Sequence, residues 1–465
     1  MEKHIHFIAI GGAAMHNLAI ALHKKGYKVT GSDDDIFDPS KSRLEKYGLL
    51  PEKMGWYPEK INKDIDAIIL GMHARADNPE LLKAQELGLH IYSYPEYIYE
   101  QTKRMNRIVI AGSHGKTTIT SMILHVLDKL GKEVNYMVGS QLKGFEVMVK
   151  LDDRLNDVIL EGDEYLSSPI DSRPKFLWYH PHTTVVSGIA WDHKNKFPTE
   201  EIYIDQFRAY LDNIEAGGNL IYNNEDEKVV KIVSDFTGNV HKIPYETPVY
   251  RNDGLKYFLI KDNREIPLKI IGKHNIQNLE AARKVCHILG VNDDDFDKAI
   301  QSFLGADRRL EMIYQDGNTY IFKDFAHAPS KAQASVNAVK ESFPDKEVIA
   351  LLELHTYSSL DKDFLPHYKG KLKNADKAIV FYSPHAVKIK KLQPIDSEII
   401  KKQFDRTDLI VYTNPKELHK DLFDMDLQGK VLLMMSSGNY GGLDENELID
   451  KVKGIDNVYS GSNRN

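Results

Sequence analysis

The stretch Ala111-Gly-Ser-His-Gly-Lys-Thr-Thr118 follows the apolar run Arg107–Ala111 and opens a segment of helical periodicity that continues to about Leu130. The run predicts a strand, and the glycines after it let the backbone N–H groups point at a phosphate. The spacing is shorter than in the common P-loop, since Ile110 stands where GxxxxGKT has its first glycine. A strand turn that binds no ligand is the simpler alternative. We predict a phosphate-binding loop made of Gly112, Ser113, His114, Gly115, Lys116, Thr117 and Thr118.

Composition limits the kind of protein. The chain of 465 residues is too long for one hydrophobic core, and about 150 residues per domain suggests roughly three domains. No apolar run approaches the ~18 residues of a membrane span, and the start of the chain lacks a signal-peptide pattern. The single cysteine, Cys286, fits a reducing cytoplasm, and the net charge of −7 argues against a nucleic-acid surface. We expect a cytoplasmic protein that binds small anionic ligands and neither nucleic acid nor membrane.

Alternating strands and helices predict an α/β fold. We expect three domains, with limits at 1–105, 106–305 and 306–465. In the first two domains the predicted strands are Ile5–Ile10, Lys28–Gly31, Ala67–Leu70, Arg107–Ala111, Asp157–Glu161 and Thr183–Ile189, and the predicted helices end near Lys25, near Leu130 and at Leu289. In the third domain the predicted strands are Tyr320–Phe325, Val348–Leu354, Ala378–Tyr382, Leu409–Thr413 and Val431–Met435, and the predicted helices are 330–343, 361–371 and 415–423.

The first strand ends in a glycine turn, Ala9-Ile-Gly-Gly-Ala-Ala-Met15. This turn is only loosely similar to a dinucleotide-binding fingerprint, because alanines occupy positions where glycines are usual. Asp33 lies about 20 residues further on, where an acid that binds a ribose would lie. An NAD site is therefore an open alternative for this segment.

Polar residues follow two central strands. The loop Glu161-Gly-Asp-Glu-Tyr165 holds three carboxylates, and Ala190-Trp-Asp-His193 follows the next predicted strand. Solvated loop acids and a packed histidine are the simpler interpretations. Beside a phosphate loop, however, Thr117, Glu161 and His193 become candidate metal ligands for Mg²⁺, and the imidazole would equally suit Mn²⁺.

Further polar motifs follow along the chain. Asn275 and Asn278 would share one face of a helix, although Asn275 has helix capping as its simpler role. Arg308 and Arg309 stand at the junction of the second and third domains, where they could join the domains by salt bridges or clamp a phosphate. Asp324-Phe-Ala-His-Ala-Pro329 ends a predicted strand.

A series of polar motifs between Ala111 and Pro329 resembles the Mur ligase family. In chain order the motifs are AGSHGKTT, EGDEY, Asp192-His193, GKHNIQNLEAA, RRLE and DFAHAP. The resemblance implies a Rossmann-like domain that binds UDP, a central P-loop ATPase domain and a Rossmann-like C-terminal domain that receives an amino acid or peptide. It also implies ATP-dependent amide formation, with ATP and Mg²⁺ as cofactors and UDP-N-acetylmuramate as a substrate.

The resemblance also implies individual roles. Lys116, Glu161, His193 and Arg309 would be catalytic. Asn275 and Asn278 would contact adenine, Asp324 the ribose and Arg309 the phosphates. The residues expected to bind the other substrates are Gly11, Gly12, Ser32, Asp33, His73 and His327.

Three short stretches are similar to the branch of the family that joins UDP-N-acetylmuramate to a recycled murein tripeptide. They are Asp171-Ser-Arg-Pro-Lys-Phe176, Ser436-Ser-Gly-Asn-Tyr-Gly-Gly442, and Thr356, which stands where the L-alanine ligases have an arginine. The alternatives are the L-alanine ligase, an NAD-dependent oxidoreductase suggested by Asp33, and a non-catalytic nucleotide-binding regulator suggested by Arg208, which occupies a position where many family members have lysine.

Overall fold

The computed structural model describes residues 3–142, 144–306 and 309–454. The chain forms two compact units. The first consists of Met1–Ile189, Glu201–Glu246 and Asn278–Ile300, and the second of Ala190–Glu200, Thr247–Gln277 and Gln301–Asn465. The predicted domain limits at 105 and 305 stay a prediction, and Arg308 lies outside the described residues. No helix within these described ranges is long and apolar enough to cross a membrane.

A parallel sheet in the order β2-β1-β3-β4 opens the first unit. Its strands are β1 His4–Ile8, β2 Lys28–Ser32, β3 Ala67–Leu70 and β4 Ile91–Ser93. Its helices are α1 Met15–Lys24, α2 Ser40–Lys46, α3 Pro79–Glu86 and α4 Tyr94–Thr102. Capping fixes the start of two helices, since Asn78 accepts from Glu80 N and Leu81 N, and Ser93 forms a capping box with Glu96.

A larger sheet of the first unit carries the predicted phosphate loop. Its order is β13-β12-β11-β5-β8-β6-β7, with every pair parallel except β6 with β7. The strands here are β5 Asn106–Ala111, β6 Asn135–Met137, β7 Val149–Lys150, β8 Asp157–Gly162, the antiparallel ribbon β9 Leu166–Ser168 with β10 Asp171–Pro174, β11 Thr183–Val186, β12 Asn219–Asn223 and β13 His241–Tyr245. The helices are α5 Lys116–Lys129, α6 Glu200–Leu211, α7 Glu227–Asp235, α8 Lys273–Ile288 and α9 Asp293–Ile300, with α6 belonging to this unit from Glu201 and α8 from Asn278. Because β8, β5 and β11 are parallel neighbours, the loops that follow them meet at one edge.

An antiparallel three-stranded sheet in the second unit was not predicted. It consists of β14 Tyr250–Asp253, β15 Lys256–Lys261 and β16 Arg264–Leu268. Asp262 and Asn263 both have positive φ, at 50° and 60°, as a two-residue type I′ hairpin turn requires.

The second unit also holds a sheet in the order β17-β18-β22-β19-β20-β21. Only the β17–β18 pair is antiparallel among the pairs described. The strands are β17 Glu311–Asp316, β18 Thr319–Asp324, β19 Val348–Leu354, β20 Lys377–Tyr382, β21 Ile410–Tyr412 and β22 Val431–Met435. The helices are α10 Pro329–Ser342, α11 Tyr357–Leu360, α12 Pro384–Ile389, α13 Ser397–Phe404, α14 Pro415–Phe423 and α15 Glu445–Val452.

Apolar side chains of this sheet pack against α14 and α15, as shown by the buried cluster that contains Leu351, Leu418 and Leu448. The parallel α/β fold is thus confirmed. The prediction of a helix over 361–371 was wrong. Only a 3-10 turn forms there, at Leu365–Tyr368, and Pro366 lies near its start.

Candidate active site

The loop after β5 turns tightly through two glycines. Gly112 has φ +129° and Gly115 has φ +81°, and Gly115 is the N-cap of α5. A Cβ at Gly112 would overlap the Ser187 hydroxyl and lie 3.0 Å from Ser187 N. A Cβ at Gly115 would lie 2.5 Å from Asn278 Oδ1. Both positions therefore require glycine, for conformation and for close approach.

Lys116 begins α5 and turns its amine back over the loop. Its Nζ lies 2.6 Å from Gly112 O and 2.6 Å from Glu164 Oε2. Burial alone would lower the pKa of Lys116, but the carboxylates of Glu164, Asp163 and Glu161 outweigh it and raise the pKa above the ordinary value. The amine is therefore held protonated at the turn.

Thr117 and Glu161 supply adjacent oxygen atoms. The Thr117 hydroxyl donates to Glu161 Oε1 over 2.7 Å, and Gly139 N donates to Glu161 Oε2 over 2.8 Å. Both side chains are buried. A hydroxyl and a carboxylate are the hard donors that Mg²⁺ prefers, so the pair fits a partial Mg²⁺ site that phosphate and water oxygens would complete. No cluster of three or more His, Cys, Asp or Glu side chains suited to a metal occurs among the residues that the structure describes.

The other loop residues are tied to the neighbouring strand end. Ser113 N donates to Gly188 O over 2.9 Å, and the Ser187 hydroxyl donates to His114 O. The His114 ring lies against Gly188, while Thr118 is buried in α5. These contacts fix the loop from the β11 side.

In the N-terminal sheet, the turn after β1 is held by Asp33. Gly11 N donates to Asp33 Oδ2 over 2.7 Å, and the Gly12 carbonyl contacts His16 Nδ1 at 2.9 Å. Burial raises the pKa of Asp33 to about 6, although the hydrogen bond from Gly11 N opposes the shift. The structure thus brings Gly11 and Asp33 together. Ser32 is buried at the end of β2, and His73 is exposed after β3.

The second unit holds Asp192, His193 and His327. His327 Nε2 lies 3.8 Å from Asp192 Oδ2, and His193 N donates to Asp192 Oδ1 over 2.7 Å. Burial alone would raise the pKa of Asp192, but His327, His193 and Lys331 outweigh it and hold the pKa well below its usual range. Burial lowers the pKa of His327. The structure thus pairs an ionised Asp192 with His327, and His193 as a metal ligand stays a prediction.

The remaining predicted nucleotide contacts are placed as follows. Asn275 Nδ2 donates to Ile271 O over 2.9 Å at the start of α8, and Asn278 is the residue that approaches Gly115. Asp324, at the end of β18, accepts from the Ser335 hydroxyl. The Arg309 guanidinium lies 5.0 Å above the Phe325 ring. Their roles toward a nucleotide stay predictions.

Sequence reasoning missed two buried residues that support these loops. Tyr203 of α6 reaches the phosphate loop, and Glu353 at the end of β19 reaches the loop after β22. A tyrosine in an amphipathic helix carries no sequence signal for such a role. Glu353 ends a buried strand, which is a weak signal for a functional carboxylate.

Comparisons with known proteins agree with this architecture. Residues 4–105 match the Mur ligase family catalytic domain, and residues 110–286 match the Mur ligase middle domain. The UDP-N-acetylmuramate–L-alanine ligase of Caldicellulosiruptor bescii is 30% identical over 395 residues, which cover 82% of this chain and 83% of that protein.

Two solved structures share the fold. A murein peptide ligase from Psychrobacter arcticus superposes with a TM-score of 0.67 at 21% identity, covering 97% of this chain and 99% of that one. The UDP-N-acetylmuramate–alanine ligase from Thermotoga maritima has a TM-score of 0.68 at 21% identity, covering 98% of both chains. The likeness confirms the expected three-domain α/β architecture. The chain belongs to the Mur ligase family, the ATP-dependent amide ligases of cell wall biogenesis.

Proposed function

We propose that this protein joins the lactyl carboxylate of UDP-N-acetylmuramate to the amine of L-Ala-γ-D-Glu-meso-diaminopimelate. The observation that carries the choice of acceptor is the loop Ser436–Gly442 after β22, whose sequence resembles that of the tripeptide ligases. Thr356 supports the same choice. It is the N-cap of α11, where its hydroxyl accepts from Ser359 N. A neutral cap thus occupies the position at which the resemblance implies an arginine in the L-alanine ligases.

The reaction has two steps. A lactyl carboxylate oxygen attacks the γ-phosphorus of ATP, and ADP leaves as the acyl phosphate forms. The peptide amine then attacks the acyl carbon, the tetrahedral intermediate expels phosphate, and the nitrogen loses a proton. The energy of the phosphoanhydride bond is thereby used to make an amide.

The loop after β5 would hold the phosphates. The Lys116 ammonium would balance charge on the γ-phosphate as it is transferred, and the backbone around Gly112 and Gly115 would orient it. Mg²⁺ would be held by Thr117 and Glu161, with His193 as a further ligand. Mn²⁺ is the alternative metal ion. A bound metal ion neutralises charge on the phosphate oxygens. A water-poor site strengthens these interactions, since Thr117 and Glu161 are both buried.

The remaining residues would orient the reactants. Asn275 and Asn278 would contact adenine, Asp324 the ribose and Arg309 the phosphates. Gly11, Gly12, Ser32, Asp33 and His73 would approach the UDP-sugar, and His327 the carboxylate or the amine. Orientation of this kind converts binding energy into rate, because the reacting atoms are held at attack distance.

Glu353 supports the acceptor loop. Its Oε2 accepts from the Ser436 hydroxyl and from Tyr440 N at 2.9 Å, and a Cβ at Gly438 would lie 2.8 Å from the same oxygen. The loop is thus folded tightly around one buried carboxylate at the carboxyl edge of the sheet. This edge is where parallel α/β sheets bind ligands, which supports its use for the acceptor.

The second candidate is the L-alanine ligase of de novo peptidoglycan synthesis. The observation that favours it is that relatives such as the Caldicellulosiruptor bescii protein, at 30% identity, carry that name. The two candidates share the donor, the acyl phosphate and the phosphate loop. They differ only in the amine that completes the reaction.

The deciding experiment supplies ATP, Mg²⁺ and UDP-N-acetylmuramate with either the tripeptide or L-alanine. We expect ADP, phosphate and UDP-muramyl-tripeptide, identified by mass spectrometry, with little turnover of L-alanine. A higher kcat/KM for L-alanine would transfer the assignment to the de novo ligase. No nucleotide-dependent product with either amine would leave the regulator as the remaining alternative.

A further inference from the structure

A buried tyrosine of α6 contacts the phosphate loop from behind. The Tyr203 phenol donates to Glu164 Oε1 over 3.0 Å, and its oxygen lies 2.8 Å from Ser113 Oγ. The phenol has one proton and gives it to the carboxylate, so the serine hydroxyl is the donor in the second bond. Tyr203 is 0% exposed, and both partners are buried.

The same carboxylate reaches the loop lysine. Glu164 Oε2 lies 2.6 Å from Lys116 Nζ, and the amine also donates to Gly112 O over 2.6 Å. A continuous chain of hydrogen bonds therefore runs from Ser113 through Tyr203 and Glu164 to Lys116. It joins the first half of the loop to the first residue of α5.

This chain restricts the direction of the lysine. An ammonium group has three donors, and two of them are used by Gly112 O and Glu164 Oε2. The direction of the third donor then depends on where Glu164 stands. Charge-assisted hydrogen bonds in buried surroundings are strong. The bond from the Tyr203 phenol to Glu164 Oε1 therefore helps to fix the position of Glu164 Oε2, which binds Lys116.

We infer that Tyr203 is a positioning residue for phosphoryl transfer, acting through Glu164 on Lys116. The inference rests on the proposed function of Lys116 as a phosphate ligand. Tyr203 itself contacts Ser113 and Glu164 and acts on the nucleotide only through them. Loss of its hydroxyl would remove one of the hydrogen bonds that orient Glu164, and Lys116 would meet ATP in a wider range of directions.

The chain offers a matched control on the same helix. Tyr210 is also 0% exposed, and its phenol lies 2.6 Å from Thr184 Oγ1, away from Lys116 and Glu164. Tyr203→Phe and Tyr210→Phe each remove one buried hydroxyl from α6. A purely structural role predicts similar consequences for both variants.

The test measures kcat, the KM for ATP, the KM for UDP-N-acetylmuramate and Tm on the full chain. We expect Tyr203→Phe to raise the KM for ATP about 5- to 10-fold, with the KM for UDP-N-acetylmuramate unchanged. Tyr210→Phe should keep the KM for ATP within about two-fold at a comparable loss of Tm. An unchanged KM for ATP in Tyr203→Phe, or an equal rise in both variants, would overturn the inference.

A double-mutant cycle checks the route. In a Glu164→Gln background, Tyr203→Phe should add little further rise in the KM for ATP, because the support of Lys116 is already weakened. Additive effects would contradict action through Glu164. If Tyr203→Phe does not fold, Ser113→Ala replaces it in the cycle. We then expect Ser113→Ala to raise the KM for ATP when Glu164 is present and to have little effect in the Glu164→Gln background. Full turnover in Lys116→Ala would instead reject the proposed function of the loop.

Discussion

The loops after β5 and β22 both close around a buried glutamate, but the glutamates have different partners. Glu164, below the phosphate loop, contacts the Lys116 ammonium and the Tyr203 phenol. Glu353, below the Ser436–Gly442 loop, accepts from a serine hydroxyl and a backbone N–H. The Lys116 ammonium contacts the first glutamate at 2.6 Å, whereas the second accepts from a hydroxyl and a backbone N–H and has the His355 imidazole 3.7 Å from its other oxygen. We therefore expect the charge of Lys116 to matter for phosphate transfer, and the fold of the loop around Glu353 to matter for the acceptor.

The largest effect should come from removing the charge of the first loop. Lys116→Ala should lower kcat for phosphate release about 10²- to 10³-fold, because the transferred phosphoryl group loses its cation. The measurement is phosphate release with all three substrates. Lys150→Ala, which removes a half-buried lysine paired with Glu133, is the control and should be near normal. Normal turnover in Lys116→Ala would show that the phosphate loop does not need the lysine cation, which would contradict the difference between the two loops.

Dependence on Mg²⁺ should distinguish the phosphate loop after β5 from the loop after β22. Glu161→Gln should raise the Mg²⁺ concentration for half-maximal activity about 10- to 100-fold, since a neutral amide is a weaker ligand. A Mg²⁺ titration of the rate measures this change. Glu133→Gln alters an exposed carboxylate of the same unit and should leave the titration unchanged. Identical titrations of Glu161→Gln and the wild type would place the metal elsewhere.

Glu353→Gln should act on the acceptor alone. The amide keeps the size of the side chain but weakens the bonds from Ser436 and Tyr440, so the KM for the peptide should rise about 5- to 10-fold. The KM for ATP should stay constant, which initial-rate measurements with each substrate varied will show. Glu398→Gln, at an exposed glutamate of α13, is the control. A rise in the KM for ATP would mean that the two loops are not independent.

Asp33 sharpens the comparison, because the backbone N–H groups of Gly11 and Asp34 donate to its carboxylate where a cation contacts Glu164. Its pKa of about 6 lies above the ordinary 3.8, so its contribution to stability is present below about pH 3.8 and is lost as the pH rises through 6. Between pH 4.5 and 7.5, Asp33→Asn should therefore gain about 1–2 kcal/mol in unfolding free energy relative to the wild type. Urea unfolding at both pH values measures the difference. A constant difference would contradict the raised pKa.

Much of the fold could be predicted from the sequence. Strands β3, β19 and β22 and helix α14 form over the predicted residues, because buried parallel strands are continuous apolar runs bounded by turn residues. The sheet β14–β16 was missed although Asp253-Gly254 and Asp262-Asn263 are hairpin signals. The longest apolar run within these strands is short, since it covers only residues 257–260 in β15, and β14 is mostly polar.

The placement of part of the candidate site was predictable from motif spacing. Lys116, Thr117 and Glu161 lie together as the motif indicates. Tyr203 and Glu353 could not be found, because each acts through a contact between residues far apart in sequence. The tie from Ser113 to Tyr203 spans 90 positions, and the tie from Glu353 to Tyr440 spans 87.

The close approach of Gly112 to Ser187 has a consequence for inhibitor design. Any side chain at residue 112 would push against Ser187 N, 3.0 Å from its first carbon, and pry apart two adjacent strands. A compound that contacts the backbone at Gly112 would therefore contact a position at which no side chain fits. Escape from such a compound would have to arise at other positions.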